Sequence, residues 1–182
     1  GTVLAEKIVG AAAEAGAEVC LVSGPTCLVA PANVRRIDVR SAADMRDAVL
    51  AALPADVFIA VAAVADYRVD TAAAQKIKKS AARLTLQLVP NPDILAEVAA
   101  LPSAPFCVGF AAETEQLSEH AEAKRQRKKL PLLIANRAQD ALGSDHNEVT
   151  LLDDAGAHPL PRMGKLALAR RPADIAALMQ LQ

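Results

Sequence analysis

Aromatic residues are scarce: three Phe and one Tyr make up 2% of the 182 residues. Cysteine and histidine are as thin, with three of each. Cys20, Cys27 and Cys107 show neither an even count nor a CxxC spacing, which argues against a disulfide scaffold or zinc module and for a reducing, cytoplasmic setting. The opening residues carry no secretory or transit pattern. His120, His146 and His158 stand far apart, with no metal-ligand spacing and no Ser/His/Asp order around a nucleophile elbow, so surface histidines and no metal site are expected. Long hydrophobic runs are missing too. The most apolar stretch, residues 57–65, has about nine residues, roughly half of a bilayer span, so no membrane association is expected. Neither sign of charge dominates: 20 Lys+Arg against 21 Asp+Glu leave a net charge of −1, which gives no overall footprint for nucleic acid. GxGxxG and GxxxxGK[ST], the common dinucleotide and triphosphate fingerprints, are absent.

What is present is an ordinary globular composition, 53% hydrophobic and 23% charged, read as one domain over 1–182. Residues 4–15 show helical spacing and end at Gly16. Residues 17–22 and 34–39 read as short strands. Ser41, three residues before Asp44, signals a helix start, and the continuous apolar run 57–62 reads as a buried central strand. Residues 84–88 alternate as in a strand with one wetter face. Asn91 as N-cap with Pro92 at the first helical position opens the next helix. Strands at 106–110 and 132–135 flank a charged helix over 114–129, and strands at 148–152 and 158–160 with a final helix from about Lys165 complete the chain. Continuous hydrophobicity with strand–helix alternation predicts a mainly parallel α/β sheet covered on both faces, with an antiparallel extension at the C-terminal end.

Ligands of open parallel sheets bind beyond the carboxyl ends of strands. Ala62-Ala63-Val64-Ala65-Asp66-Tyr67 ends the most apolar run with small side chains and a carboxylate. Asp66 there either serves a ligand or is a turn residue. Lys76-Ile77-Lys78-Lys79 is either a polyphosphate clamp on a loop or a solvated charge run. Asn91-Pro92-Asp93-Ile94 offers a helix N-terminus for acceptor atoms, and Phe110 at a strand end either stacks on a base or fills the core. Lys124 and Lys128, four apart, share one helix face. These features alone reach an anion-binding α/β domain.

In order and spacing, these segments, together with Val108-Gly109-Phe110-Ala111-Ala112-Glu113-Thr114, Ala135-Asn136 and Ser144-Asp145-His146-Asn147, resemble phosphopantothenate–cysteine ligase. The resemblance runs from about Ala11 to the C-terminal helix. It implies a Rossmann-like three-layer domain, homodimeric, that uses CTP with Mg²⁺ or Mn²⁺ to activate 4′-phosphopantothenate as an acyl-cytidylate before L-cysteine displaces CMP. In many bacteria this domain is the C-terminal half of a bifunctional protein, so FMN is implied only where a decarboxylase half is fused upstream. The match puts the catalytic role on Lys76, nucleotide contacts on Ala60, Asp66, Lys76, Asn91, Pro92, Asp93, Ile94, Phe110, Lys124 and Lys128, and phosphopantothenate beside Ala62 and Ala63. A complete family member begins with a further strand and an asparagine-bearing loop that Gly1-Thr2-Val3-Leu4 does not supply, so little turnover is expected without them. A non-catalytic nucleotide-binding domain of the same fold is the competing reading.

Overall fold

A computed structural model describes residues 2–71, 73, 75–78, 83–113, 117–137, 146–147 and 149–164. The alanine-rich helix α1 (Thr2–Glu14) stops where Gly16 turns to φ 88°. There the Gly16 and Ala17 N–H groups donate to Ala13 and Ala12 carbonyls at 3.0 and 3.1 Å, the paired bonds of a left-handed C-cap. Next come β1 (Val19–Ser23) and β2 (Val34–Asp38). Helix α2 (Ala42–Ala51) opens on a capping box: Asp44 N–H donates to Ser41 Oγ and Ser41 N–H to Asp44 Oδ2, each at 3.0 Å. The chain continues through β3 (Val57–Ala60), β4 (Tyr67–Val69), β5 (Leu88–Pro90), α3 (Ile94–Ala99), β6 (Phe106–Glu113), α4 (Leu117–Lys128) and β7 (Leu132–Arg137). It closes with β8 (His146–Asn147), β9 (Val149–Asp153), β10 (Gly156–Pro159) and β11 (Met163–Gly164).

The largest sheet has the order β10-β9-β7-β6-β3. β3, β6 and β7 run parallel; β9 and β10 add antiparallel through a two-residue turn in which Asp153 faces Gly156. The expected mixed architecture is therefore present. Successive side chains of a strand point to opposite faces. Accordingly Cys107, Ala111, Leu133 and Ala135 build the core under Val49 of α2, Ile94 and Val98 of α3 and Ala121 of α4. On the other face Val108, Leu132, Ile134 and Val149 form a second cluster, with Leu4 of α1 packed against it. A Cβ on Gly109 would lie 2.8 Å from Leu133 Cδ1 and 3.0 Å from Leu95 Cδ2, so α3 seats on β6 only because this residue has no side chain.

Several expectations need correction. The run 57–62 is a strand only to Ala60, and among the described residues it pairs with β6 and stands last in the order of the five-stranded sheet. β1 and β2 form a separate parallel pair. Of residues 84–88 only Leu88 enters a strand, and Leu84, Leu86 and Leu88 are all exposed; β5 pairs antiparallel with β4, an element the apolar pattern did not announce. The N-cap of α3 is Asp93, not Asn91: Asp93 Oδ1 accepts from Ala96 N–H at 3.1 Å, while the Asn91 side chain reaches the preceding strand end. Helix α4 begins at Leu117, with Thr114 outside the described residues. Lys79, Ser144, Asp145 and the final helix from Lys165 also lie outside them.

Candidate functional site

Beyond Ala60 the chain leaves β3 through Ala62 and Ala63, both exposed, to Asp66. Asn91 holds this strand end in place. Its N–H donates to the Asp66 carbonyl and its Nδ2 to the Ala65 carbonyl, both at 2.8 Å, so the segments at 65–66 and 91–93 form one ledge. Arg68 Nη1 adds a bond to the Pro90 carbonyl at 2.6 Å. Asn91 Oδ1, by contrast, is buried and accepts no hydrogen bond from the described residues. A buried amide oxygen without a donor costs about 1–3 kcal/mol, and an N–H from a ligand would relieve it.

Asp93 links the ledge to α4. Besides capping α3 it receives the Lys128 ammonium at 2.8 Å. Burial pulls the Asp93 carboxyl upward, but the Lys128 hydrogen bond, the cap bond from Ala96 and the charges of Lys128 and Arg127 outweigh it, leaving the group below the usual carboxylate range. Lys124 lies one turn before Lys128 and is likewise half-buried. The structure thus brings Asp66, Asn91, Asp93 and Lys128 into one connected network, with Pro92 half-buried between the two acceptors and Ile94 anchored in the core at 8% exposure.

Other predicted residues are not tied into that network. Phe110 packs on the apolar cluster of the opposite sheet face, as a core ring does. Lys76 and Lys78 are exposed on the segment between β4 and β5. His120 and His158 are exposed, and His158 bonds Asp153 at 3.0 Å. Among the described residues no group of three His, Cys, Asp or Glu could hold a metal ion.

Sequence reasoning missed Arg125. It is 8% exposed, and its guanidinium pairs with Glu122 at 2.9 Å, with Asp154 at 2.9 Å and with the Leu130 carbonyl at 3.0 Å. The hydrogen bonds it donates to Glu122 and Asp154 hold it charged despite burial. This anchor fastens the end of α4 to the β9–β10 turn and so fixes the helix that carries Lys124 and Lys128. Nothing in the run Lys124-Arg125-Gln126-Arg127-Lys128-Lys129 distinguishes the one cation that turns inward, because its partner lies 29 residues away.

The chain has clear relatives. The model of the family described as DNA/pantothenate metabolism flavoprotein C-terminal domain matches residues 1–178. The coenzyme A biosynthesis bifunctional protein CoaBC of Vibrio cholerae serotype O1 is 49% identical over 166 residues, covering 87% of this chain and 42% of that protein. That of Escherichia coli K12 is 47% identical over 175 residues, covering 92% and 43%. The chain therefore spans under half the length of these relatives. The crystal structure of the C-terminal domain of a CoaBC protein is similar with a TM-score of 0.81 at 32% identity, over 98% of this chain and 83% of that one. The DNA/pantothenate metabolism flavoprotein from Streptococcus pneumoniae shares the fold with a TM-score of 0.79 at 18% identity, over 98% and 88%.

Proposed function

The chain belongs to the DNA/pantothenate metabolism flavoprotein C-terminal domain family, and from that premise we propose that it is a cytoplasmic phosphopantothenate–cysteine ligase that draws on CTP. The substrate carboxylate attacks the α-phosphorus of CTP and releases pyrophosphate. The cysteine amine then attacks the acyl carbon, an amide forms and CMP leaves with the bonding electrons. Activation is needed because a carboxylate is a poor acyl donor until one oxygen becomes part of a good leaving group.

The observation that carries this reading is the ledge with its orphaned acceptor. Asn91 Oδ1 is positioned by two hydrogen bonds from its own residue and lacks a donor among the described residues, which suits the exocyclic amino group of a cytosine. A site that presents an unpaired buried acceptor rejects a base without an amino donor, such as uracil. Asp66, Pro92, Asp93 and Ile94 frame the same ledge, Ala60 ends the strand beneath it, and Phe110 backs the neighbouring strand. Lys128 reaches the nucleotide by exchanging or sharing its bond with Asp93, and Lys124 adds a second cation on the same helix face. Ala62 and Ala63 let phosphopantothenate approach the backbone closely. Lys76, an exposed ammonium on a connecting segment, meets the negative charge that develops at the reacting phosphate.

Among the described residues no donor set cages a divalent ion. Mg²⁺ or Mn²⁺ fits there as an ion that arrives with the nucleotide phosphates, as Mg²⁺ commonly does. FMN is implied only where a decarboxylase half is fused upstream. We further assign the exposed apolar ribbon of Tyr67, Val69, Leu84, Leu86 and Leu88 to a homodimer contact, because patches of this kind mark association surfaces.

The test follows pyrophosphate release with phosphopantothenate and a set of nucleoside triphosphates. CTP is expected to support turnover and ATP not. Lys76→Gln should lower turnover on the order of 10²–10³-fold while CTP affinity changes little. Equal use of ATP, or a Lys76 effect confined to KM, would overturn the assignment.

A further inference from the structure

Helix α4 ends at Lys128, the cation that meets Asp93, so the residue on which the nucleotide site leans is the last helical one. Terminal turns fray unless their free carbonyls find donors. Here they do. Lys129 turns to φ 54°, its N–H donates to the Gln126 carbonyl at 3.1 Å, and the Leu130 N–H donates to the Arg125 carbonyl at 3.0 Å. These paired bonds make the left-handed closure usually built on glycine, and a lysine adopts that conformation only at a cost. Something must hold it there.

Arg125 supplies the hold. Its carbonyl accepts the Leu130 N–H while its Nη1 donates to the Leu130 carbonyl at 3.0 Å, so one residue grips both backbone polar groups of Leu130. Nη1 also donates to Asp154 Oδ1, and Nε and Nη2 donate to the two Glu122 carboxylate oxygens, all at 2.9 Å. Four bonds in the plane of a guanidinium fix rotation as well as distance, which the point charge of an ammonium does not. Leu130 is 1% exposed and leads into β7. The last turn of α4 is thus tied to the core through Leu130, to the β9–β10 turn through Asp154, and to the start of α3 through Lys128.

We propose that Arg125 is a positioning residue for the nucleotide: by clamping Leu130 and Asp154 it fixes the last turn of α4 and with it Lys128, so that the β9–β10 turn sets nucleotide affinity from a distance. A lysine carries its charge on a flexible four-carbon stem, and the ammonium is only as well placed as the backbone beneath it. Arg125 itself touches no ligand, since all its bonds go to Glu122, Leu130 and Asp154. The inference rests on the ligase reading for the identity of the ligand and on the clamp alone for the placement of Lys128.

The experiment titrates CTP into Arg125→Met, Asp154→Ala, Lys128→Ala and the Arg125→Met/Lys128→Ala double variant, and follows the Asp93 carboxyl by NMR in the same proteins without nucleotide. Arg125→Met keeps an apolar stem and removes the four bonds. The Asp154 side chain is 93% exposed, so Asp154→Ala loosens the clamp without threatening the fold. CTP affinity should fall about tenfold in Arg125→Met and about threefold in Asp154→Ala, as expected of groups that couple to a ligand without touching it. In the Lys128→Ala background Arg125→Met should cost little further, because the cation it places is gone. The Asp93 carboxyl should titrate higher in Arg125→Met than in the parent as its ion pair loosens. Leu133→Ala, which opens a cavity elsewhere in the core, should leave both readouts unchanged while the protein is folded. An unmoved CTP affinity or an unmoved Asp93 in Arg125→Met would overturn the proposal, and so would an equal loss in the Lys128→Ala background or in Leu133→Ala. A parent that binds no CTP would overturn the ligase reading instead, and the Asp93 titration would then decide by itself whether Arg125 places Lys128.

Discussion

In β6 and β7, Cys107, Val108, Leu133 and Ile134 are at most 1% exposed, whereas every residue of β1 and β3 is only half-buried. The apolar stretches of both regions, 106–112 in β6 and 132–135 in β7 as well as β1 and β3, carry no charge, and both regions lie under helices. What separates them is the number of neighbours. β6 is paired on both edges, by β3 and β7, and β7 by β6 and β9, so their side chains are walled in within the sheet as well as above and below it. Among the described residues β1 and β3 have one paired edge each. Hydrophobicity therefore sets which segments become strands, and pairing sets how deeply they are buried.

Thiol chemistry probes this contrast most strongly. Cys107 lies in the closed region, where burial pushes its thiol up to about 11, while Cys27 is exposed. Under native conditions Cys107 should react with a maleimide at least about a thousandfold more slowly than Cys27, since it needs both opening and ionisation. Comparable rates, read by mass spectrometry of the labelled peptides, would mean that the closed region opens as easily as the rest.

Deleting volume from the two regions should give the next largest difference. Leu133→Ala, at a fully buried position, is expected to cost about 2–5 kcal/mol in urea unfolding. A loss below about 1 kcal/mol would contradict the packing described. Gly109→Ala tests the same wall by overfilling it: a Cβ only 2.8 Å from Leu133 Cδ1 forces Leu95 or Leu133 to shift, at about 1–3 kcal/mol. A neutral or stabilising result would show that α3 can move off β6 freely.

The smallest effect concerns the ledge between the two regions. The Asp93 carboxyl lies below its usual range, so its ion pair with Lys128 stabilises the fold fully above the unfolded value near pH 3.9 and is lost as pH falls through the lower folded value. Asp93→Asn keeps a capping side chain and removes the charge. It should cost less than about 1 kcal/mol at neutral pH, because the pair is partly solvated, and the difference from the parent should vanish in acid. A difference that persists unchanged below about pH 3 would place the effect in the cap instead.

Local chemistry made much of the chain legible. Ser41 with Asp44, Gly16 and the hairpin near Gly156 form through contacts a few residues apart, and the strands around 108 and 133 show as continuous apolar runs, which is why pattern and spacing reveal them. The same holds for the family, whose motifs lie in order along the chain. Candidate site residues were legible as positions but not as a constellation. Asp66, Asn91, Asp93 and Lys128 join through bonds that span 25 to 35 residues, and Arg125 finds Asp154 only because α4 lies against the β9–β10 turn.

The sequence by itself determined where most of the strands and helices lie, the caps at Ser41 and Gly16, and to which family the chain belongs, since propensity, capping and motif order are properties of short stretches. Tertiary structure alone decided that Asp93 rather than Asn91 caps α3, that Phe110 packs on the second apolar cluster, and that one arginine in a basic run is buried. Those outcomes depend on which distant surfaces meet, and an apolar residue or a charge carries no local mark of the partner that will cover it.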